Sequence, residues 1–461
     1  MRPWLLFAAG EALFLGITLL PDARRGLAAY LFLFLAGSLL SLVAARSVSA
    51  SRGRFVLLCA AAFRLTLLFR SPDLSEDVFR YLWDGRLAAS GVSPYALAPG
   101  DPRAEGLFPE LERRLAHREF PTVYPPVAQA AFRVAASVPG KGVVPLKALF
   151  ASADVAVVAL LLAGGGARAR FGAALYAFHP LPVTETAGQG HLDSLGVALL
   201  LASVVYLSRR RPLAGGIAFA MSVLTKYVPL GGVLPLARSG KLRFLAAALT
   251  LGAALWALAA GGGASPAVGL GDYATRWEFN SVLYPAVSAA IEAGHLPQKA
   301  KAAYIRWKEK REHRPWMQRA FPYFYTAFFA RAMLAILLAF ALVLIATRVR
   351  DDLELAVFAS LAALLLFSPT LHPWYLLWVL PFAAKRGEPA FLYLATAAPL
   401  AYGLLYPLAG WSPVSIRVVE YGPFAVLLGV GLWRNRSPHP DPLAGGAGEK
   451  ASIAEGDGLE R

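Results

Sequence analysis

Long apolar runs recur from one end of this chain to the other, and they constrain its fold more than any other feature. An α-helix needs about 20 mostly apolar residues to cross the roughly 30 Å of hydrocarbon in a bilayer. Of the 461 residues, 57% are hydrophobic and 16% are charged, and the mean hydropathy is +0.52. A soluble domain carries about 25% charged residues. The sequence therefore predicts an all-α fold, a polytopic transmembrane helical bundle.

The apolar runs predict about 12 to 14 membrane spans, a range that reflects how short several of the runs are. They lie at 3–20, 27–45, 54–70, 143–163, 171–186, 191–207, 213–226, 228–237, 242–260, 327–347, 353–368, 374–384, 389–408 and 417–433. The short pair 213–226 and 228–237 indicates a broken or re-entrant element, which is tolerated where it is buried in protein or lines a wet cavity. We predict one transmembrane domain over 1–436 and a disordered cytoplasmic tail over 437–461.

The distribution of Lys and Arg predicts the orientation of the bundle. With the N-terminus in the cytoplasm, the cationic short loops fall inside, except for the turn at Arg24 and Arg25. The two long loops, 71–142 and 261–326, then emerge on the extracytoplasmic face. This topology accounts for the net charge of +16, which therefore does not indicate nucleic-acid binding. The single cysteine, Cys59, leaves no intramolecular disulfide and no Cys-based metal site.

The first long loop begins with a dense cluster of charge. Residues 72–86 contain four carboxylates and two arginines. If 75–90 is helical, the spacing i, i+3, i+4 and i+7 puts four polar side chains on one face. They are Asp77, Arg80, Tyr81 and Asp84. The pattern is typical of an amphipathic helix on the membrane surface, although an interfacial helix with solvated or mutually paired charges has the same spacing.

The adjacent acids Glu76 and Asp77 are the catalytic candidates in this cluster. A positioned carboxylate can take the proton of an attacking hydroxyl. A nearby cation, such as Arg80 or Arg86, keeps that carboxylate ionised. Adjacent acids can instead bind a divalent metal, so the residues alone leave both roles open.

Further polar residues lie in segments that the predicted topology brings to the same outer face. Lys226, followed by Tyr227, lies in an apolar run where an unpaired lysine is costly, so we expect it to contact a phosphate. Snorkelling to the interface is the alternative. The other candidates, for a sugar or a phosphate, are His191, Asp193 and His372. Polar turns with ordinary helix caps are the alternative for these three, and the histidines lack a zinc-ligand spacing.

The second long loop is strongly basic. Its cations, which accompany Trp307 and Trp316, are Lys299, Lys301, Arg306, Lys308, Lys310, Arg311, Arg314 and Arg319. Such a patch attracts anionic head groups with about 1 kcal/mol per basic residue near the surface. It is typical of a helix that lies on the membrane, and it can also gather a lipid phosphate.

Five pieces of sequence together resemble the GT-C superfamily of integral-membrane glycosyltransferases, and most closely the bacterial mannosyltransferases of glycosyltransferase family 87. They are 73–95, Tyr124-Pro125-Pro126, Gly190-His191-Leu192-Asp193, Leu224-Thr225-Lys226-Tyr227 and Leu371-His372-Pro373-Trp374-Tyr375, in the order that the family has. The ordered set is more specific for the superfamily than for the family. The family's catalytic loop usually follows the first span, whereas three predicted spans precede it here.

The resemblance implies an inverting hexosyltransferase of the bacterial inner membrane with an extracytoplasmic active site. Its donor is a polyprenyl-phosphate hexose, with mannose expected, and its acceptor is a lipid or a glycan. Asp77 matches the catalytic acid, with Glu76 next to it, and Lys226 would hold the donor phosphate together with Arg80 or Arg86. The other substrate-binding candidates are Tyr81, Asp84, Tyr124, His191, Asp193, Tyr227 and His372. No cofactor is required, since the phosphate is already a good leaving group, although the adjacent acids allow a divalent metal.

A lipid-sugar flippase or transporter is the alternative function. A carrier also needs charged residues within spans, and Glu11 and Asp154 are acids of that kind. Such a protein distributes polar groups along a path across the membrane. The candidates in this chain cluster at one predicted face, which favours the enzyme.

Overall fold

The computed structural model describes residues 2–47, 52–140, 142–311, 319 and 322–434. Within those residues the chain is helical, and an isolated parallel bridge between Phe279 and Thr370 is the only strand-like pairing. The predicted all-α fold is therefore confirmed. The tail predicted over 437–461 lies outside the described residues.

Long apolar helices alternate with short elements along the chain. The α-helices are α1 (Pro3–Leu19), α2 (Leu27–Ser47), α3 (Gly53–Leu68), α4 (Asp77–Ala89), α5 (Pro109–Glu112), α6 (Pro126–Ala136), α7 (Val144–Ala163), α8 (Gly166–Phe178), α9 (Pro180–Pro182), α10 (Asp193–Ser208), α11 (Pro212–Val223), α12 (Val233–Ala260), α13 (Leu270–Arg276), α14 (Tyr284–Ala293), α15 (Leu296–Glu309), α16 (Thr326–Arg348), α17 (Leu353–Phe367), α18 (Leu380–Arg386), α19 (Pro389–Ala397) and α20 (Pro413–Arg434). Turns of 3-10 helix lie at Pro102–Ala104, Val228–Gly232, Pro373–Trp378 and Ala398–Leu404, and a π-helical turn lies at Val183–Gly188.

Several helices are suited to a membrane. Among the described residues, five segments are long and apolar enough to cross one: Leu27–Ser47, Val144–Ala163, Val228–Ala260, Thr326–Arg348 and Pro413–Trp433. Shorter apolar helices of 10–17 residues accompany them, at Pro3–Leu19, Asp193–Ser208, Pro212–Val223, Leu353–Phe367 and Pro389–Leu404. The protein is thus a multi-pass membrane protein. Some predicted spans are interrupted, as where α8 ends before Pro180, because proline cannot continue the helical hydrogen-bond ladder.

The acids inside the N-terminal helices are paired with neighbours. The Arg64 guanidinium donates to the buried Asp154 carboxylate at 2.6 Å, and the Tyr176 hydroxyl donates to the same carboxylate at 2.6 Å. Glu11 accepts the hydroxyl of Thr66 at 2.7 Å. These contacts join α1, α3, α7 and α8. They hold the bundle together, and neither acid marks an open polar path.

The apolar run that contains Lys226 is broken at that residue. Helix α11 ends at Val223, and the chain resumes as a 3-10 turn at Val228–Gly232. The carbonyl of Leu224 accepts the backbone N–H groups of Val127 and Ala128 in the first turn of α6. The break is therefore fixed against the start of α6, which begins at Pro126, directly after Tyr124 and Pro125.

The two long loops meet above the bundle. The Trp277 ring lies 5.3 Å from Phe120 and 4.6 Å from His117, both of the first long loop. Phe279 donates its N–H to Pro369 and accepts the N–H of Leu371, next to His372. The second long loop thus bridges the first loop and the segment that contains His372.

Candidate functional site

Asp77 begins α4, the helix predicted over 75–90, and its side chain is half-buried. Burial raises the pKa of the Asp77 carboxyl above its usual value, while nearby Lys226 opposes this shift. Asp193 raises that pKa further, and His117 and Tyr81 lower it. Groups from three separate parts of the chain therefore act on this one carboxylate. A carboxyl with a raised pKa is better matched to proton transfer near neutral pH.

Two glycines let the neighbouring segments approach α4 closely. A Cβ on Gly85 would lie 2.3 Å from the carbonyl oxygen of Phe132, so only glycine permits this crossing of α4 and α6. Gly190 has a φ of +82°, and a Cβ there would lie 2.7 Å from the side chain of Val78. The turn before His191 therefore packs directly against α4 at Val78, the residue after Asp77.

Lys226 is held by a buried carboxylate. Its Nζ donates to Asp193 Oδ1 at 2.8 Å and Oδ2 at 3.0 Å, and Asp193 has no exposed surface. The indole N–H of Trp378 donates to Asp193 at 2.6 Å. The ammonium also lies 4.3 Å from the ring centre of Tyr375, as a cation–π contact. A lysine with this set of partners is positioned, and it does not snorkel.

Aromatic rings form one wall beside this lysine. The Trp374 ring is flanked by His191 at 3.8 Å and by His372 at 4.3 Å, and the second pair is nearly parallel. Phe279 stacks on the other side of His372 at 4.4 Å. The hydroxyl of Tyr375 lies 2.5 Å from that of Tyr273 in the second long loop.

The two histidines of this wall are poor cations and good hydrogen-bonding groups. Burial, with a smaller effect of Lys226, lowers the pKa of His372 to about 3. Within the part of the chain that the structure describes, neither ring nitrogen of His191 nor Nδ1 of His372 has a hydrogen-bond partner. Buried polar atoms normally have partners, so these atoms are available to a ligand.

Glu185 lies behind His191 and is fully buried in the π-helical turn. Its carboxylate accepts the hydroxyl of Tyr402 and lies 3.5 Å from Nδ1 of His191. Single π-helical turns inside α-helices are frequent at functional sites. The sequence motifs did not single out Glu185, although an acid within an apolar segment next to Gly188-Gln189-Gly190 was a signal.

Arg80 and Asp84, predicted to bind substrate, contact each other. Arg80 Nε donates to Asp84 at 2.9 Å, and its Nη1 donates to the carbonyl of Phe120 at 3.1 Å. Asp84 is fully buried and also accepts from Thr122 and Gln129. Among the described residues, the buried Nη2 of Arg80 has no partner. Asp84 therefore positions an arginine that keeps one donor for a ligand.

Other predicted residues have their contacts outside this cluster. Glu76 forms an ion pair with Arg24 at 3.5 Å, and the Arg86 guanidinium is paired with Glu110 on the surface of the first loop. Tyr227, whose hydroxyl has no partner among the described residues, lies near Tyr95.

The remaining two predicted tyrosines, Tyr81 of α4 and Tyr124, pack against Phe132 of α6. The Tyr81 ring stacks on Phe132 at 4.6 Å and meets Tyr124 edge-on at 4.9 Å. The carbonyl of Tyr124 accepts the hydroxyl of Tyr95. Within the described part of the chain, no group of three or more His, Cys, Asp or Glu side chains is arranged to hold a metal ion.

Two family models match the chain. Residues 10–238 match the model of the alpha-(1→6)-mannopyranosyltransferase N-terminal domain, and residues 324–439 match that of the MptB C-terminal domain. Asp77, Asp193 and Lys226 lie in the first matched region, and His372 and Trp378 lie in the second. No curated protein and no solved structure matches. Both matched regions therefore contribute to one site.

Proposed function

We propose, since the chain belongs to the membrane mannosyltransferases of the GT-C type, that its donor is a polyprenyl-phosphate mannose and its acceptor a lipid or glycan hydroxyl. The reaction inverts the anomeric carbon and takes place on the extracytoplasmic face of a bacterial inner membrane. One geometric observation supports this proposal: Lys226 Nζ donates to Asp193 at 2.8 Å, and Gly190, three residues before Asp193, packs against Val78, the residue after Asp77. It links an acid and a cation that are 149 positions apart in the printed sequence.

The donor phosphate is held by two cations. Lys226 uses its bonds to Asp193 for anchoring, and an ammonium has three N–H donors. Nη2 of Arg80 is buried without a partner among the described residues, so it offers a second donor. Cations positioned in a water-poor site stabilise the negative charge that develops on a leaving group. Arg86 takes no part, because it is paired with Glu110.

Asp77 is the general base. The acceptor oxygen attacks the anomeric carbon as its O–H proton passes to the Asp77 carboxylate. The bond between that carbon and the phosphate oxygen breaks, and the polyprenyl phosphate leaves with one more negative charge, facing Lys226. Phosphate is already a good leaving group, so the proposed step needs neither a metal nor a cofactor.

The sugar lies against the aromatic wall. His191 and His372 have ring nitrogens without partners among the described residues, and the low pKa of His372 keeps it neutral at physiological pH. Neutral imidazoles donate to or accept from sugar hydroxyls. Glu185 orients His191 from behind, and Trp374 supplies the apolar surface between the two histidines.

The positive-inside pattern supports the proposed face. In the predicted orientation both long loops, which meet at Trp277 and Phe120, emerge outside together with α4. The alternative of a flippase loses its support, because Glu11 and Asp154 are hydrogen-bonded within the bundle.

A comparison of donors tests this proposal. Purified protein in lipid nanodiscs is given a membrane lipid extract as acceptor, and either polyprenyl-phosphate mannose or GDP-mannose, each radiolabelled in the sugar. We expect transfer from the polyprenyl donor alone, with inversion at the labelled carbon. Transfer from GDP-mannose in the absence of polyprenyl phosphate would contradict the proposed donor, and retention would contradict direct displacement.

A further inference from the structure

Helix α15 carries an exposed stripe that the proposed reaction does not use. Its residues are spaced by three or four, so they lie on one side of the helix. They are Leu296, Lys299, Ala303, Arg306, Trp307 and Lys310, all exposed, and we call them the α15 stripe. Apolar and cationic side chains alternate along it. Glu309 is the one acid between Leu296 and Arg311 in the sequence, and it lies off the stripe.

The packing of α15 places the stripe at the end of a membrane helix. In α15, Pro297 is buried, and the Tyr304 ring stacks on Trp307 of the stripe at 5.5 Å and lies 5.5 Å from Phe324. Phe324 is two residues before α16, which is long and apolar enough to cross a membrane. Tyr304 therefore holds the stripe close to the start of α16.

The composition of the stripe indicates a lipid surface. Leu296 is 42% exposed and Trp307 37% exposed, although each is large and apolar. Tryptophan is enriched where membrane and water meet. Interfacial helices combine such residues with Lys and Arg, whose aliphatic stems lie along the apolar layer while their charged ends reach the phosphates.

We propose that the α15 stripe binds the head groups of anionic phospholipids. Leu296 and Trp307 enter the boundary between head groups and acyl chains, and Lys299 and Arg306 contact lipid phosphates. The charge of these cations is complementary to an anionic leaflet, which attracts basic residues close to its surface. The contact anchors the second long loop to the bilayer beside the site that this loop covers.

A pair of adjacent alanines provides the test. The full-length protein in nanodiscs is labelled with an environment-sensitive fluorophore at Ala303→Cys, in the stripe, or at Ala302→Cys, which is rotated by about 100° away from it. The native Cys59 is buried and does not compete for the label. Quenching is measured with nitroxide-labelled phosphatidylglycerol and with phosphatidylcholine that carries the same nitroxide.

We expect the label at position 303 to be quenched more strongly by phosphatidylglycerol than by phosphatidylcholine, and the label at position 302 to show neither strong quenching nor a preference. Lys299→Gln and Arg306→Gln should each raise the phosphatidylglycerol fraction at half-maximal quenching about fivefold. Lys299→Arg keeps the charge and should leave that fraction at its wild-type value. Lys301→Gln, which is off the stripe, should also leave the fraction unchanged. Equal quenching at the two positions, or no response to Lys299→Gln and Arg306→Gln, would overturn the proposal. This readout does not depend on sugar transfer.

Discussion

The Lys226 ammonium lies 2.8 Å from a carboxylate oxygen of Asp193 that has no exposed surface. The pair joins a break between two apolar helices to the first turn of α10. A lysine in an apolar run is costly unless it has a partner. Asp193 supplies that partner and leaves the remaining donor capacity of Lys226 for a ligand.

Replacing Lys226 tests its role toward the donor phosphate. We expect Lys226→Met to lower kcat/KM for the polyprenyl donor by about 100-fold or more, because one donor aimed at developing charge contributes that much. The same change leaves Asp193 buried without its cation, at a cost of about 3–5 kcal/mol in the free energy of unfolding. Kinetics are therefore normalised to folded protein by size-exclusion chromatography. Lys226→Arg, which keeps the charge, should retain more activity; an unchanged kcat/KM in Lys226→Met argues against phosphate contact.

The pH dependence of the reaction should report the raised pKa of Asp77. A general base must be deprotonated, so kcat/KM should fall as the pH falls through the pKa of that carboxyl. Burial raises this pKa above the usual Asp value of 3.8, so the loss should begin at a higher pH than for an exposed aspartate. A pH profile of kcat/KM in nanodiscs checks this. An acid limb at or below pH 3.8 would be inconsistent with a base whose pKa is raised by its surroundings.

Glu185 should act through His191. Glu185→Gln keeps an oxygen that accepts the Tyr402 hydroxyl but changes the group that lies 3.5 Å from Nδ1 of His191. We expect kcat/KM to fall about tenfold, equivalent to about 1.4 kcal/mol, because the imidazole loses the neighbour that fixes its orientation, with little change in thermal stability. Tyr402→Phe should reduce kcat/KM in the same direction. Full activity in both variants would show that His191 is positioned without this network.

The buried pair Arg64 and Asp154 should matter for stability and not for the reaction. Asp154→Ala leaves the Arg64 guanidinium buried without a counter-charge and should lower the free energy of unfolding by about 3–5 kcal/mol. The double variant Arg64→Met/Asp154→Asn should recover most of that loss, because no buried charge is left unpaired and the amide oxygen still accepts the Tyr176 hydroxyl. Thermal unfolding measures both effects. A loss of transfer activity in a folded double variant would instead indicate that the pair takes part in function.

The sequence predicted the features that arise from local spacing. Asp77 and Arg80 share a helix face because their spacing determines it, and Lys226 is conspicuous because one charge interrupts an apolar run. The sequence could not decide which of the adjacent acids Glu76 and Asp77 enters the site. Neighbouring helical positions point about 100° apart, so the two side chains have different surroundings. Only the structure places Glu76 against Arg24 while Asp77 lies near Lys226.

Contacts between distant parts of the chain were beyond prediction from one sequence. Glu185 and its partner Tyr402 are 217 positions apart. Trp378 donates to Asp193 across 185 positions. The pairing of Asp84 with Arg80 was within reach, since their i, i+4 spacing favours an ion pair. The role of Asp84 as a fixed support for Arg80 also depends on hydrogen bonds from Thr122 and Gln129, which the fold brings to it.

The activity of Asp77→Asn tests the central claim most directly. Purified variant and wild type are compared with the polyprenyl donor in nanodiscs, with Asp101→Asn as a matched control, because Asp101 is an acid of the same loop that pairs with Arg103 at the surface. We predict that Asp77→Asn lowers kcat at least about 100-fold, as expected for loss of a general base. The apparent KM for the donor should change little, and Asp101→Asn should behave as wild type. Wild-type kcat in a folded Asp77→Asn protein would contradict the account.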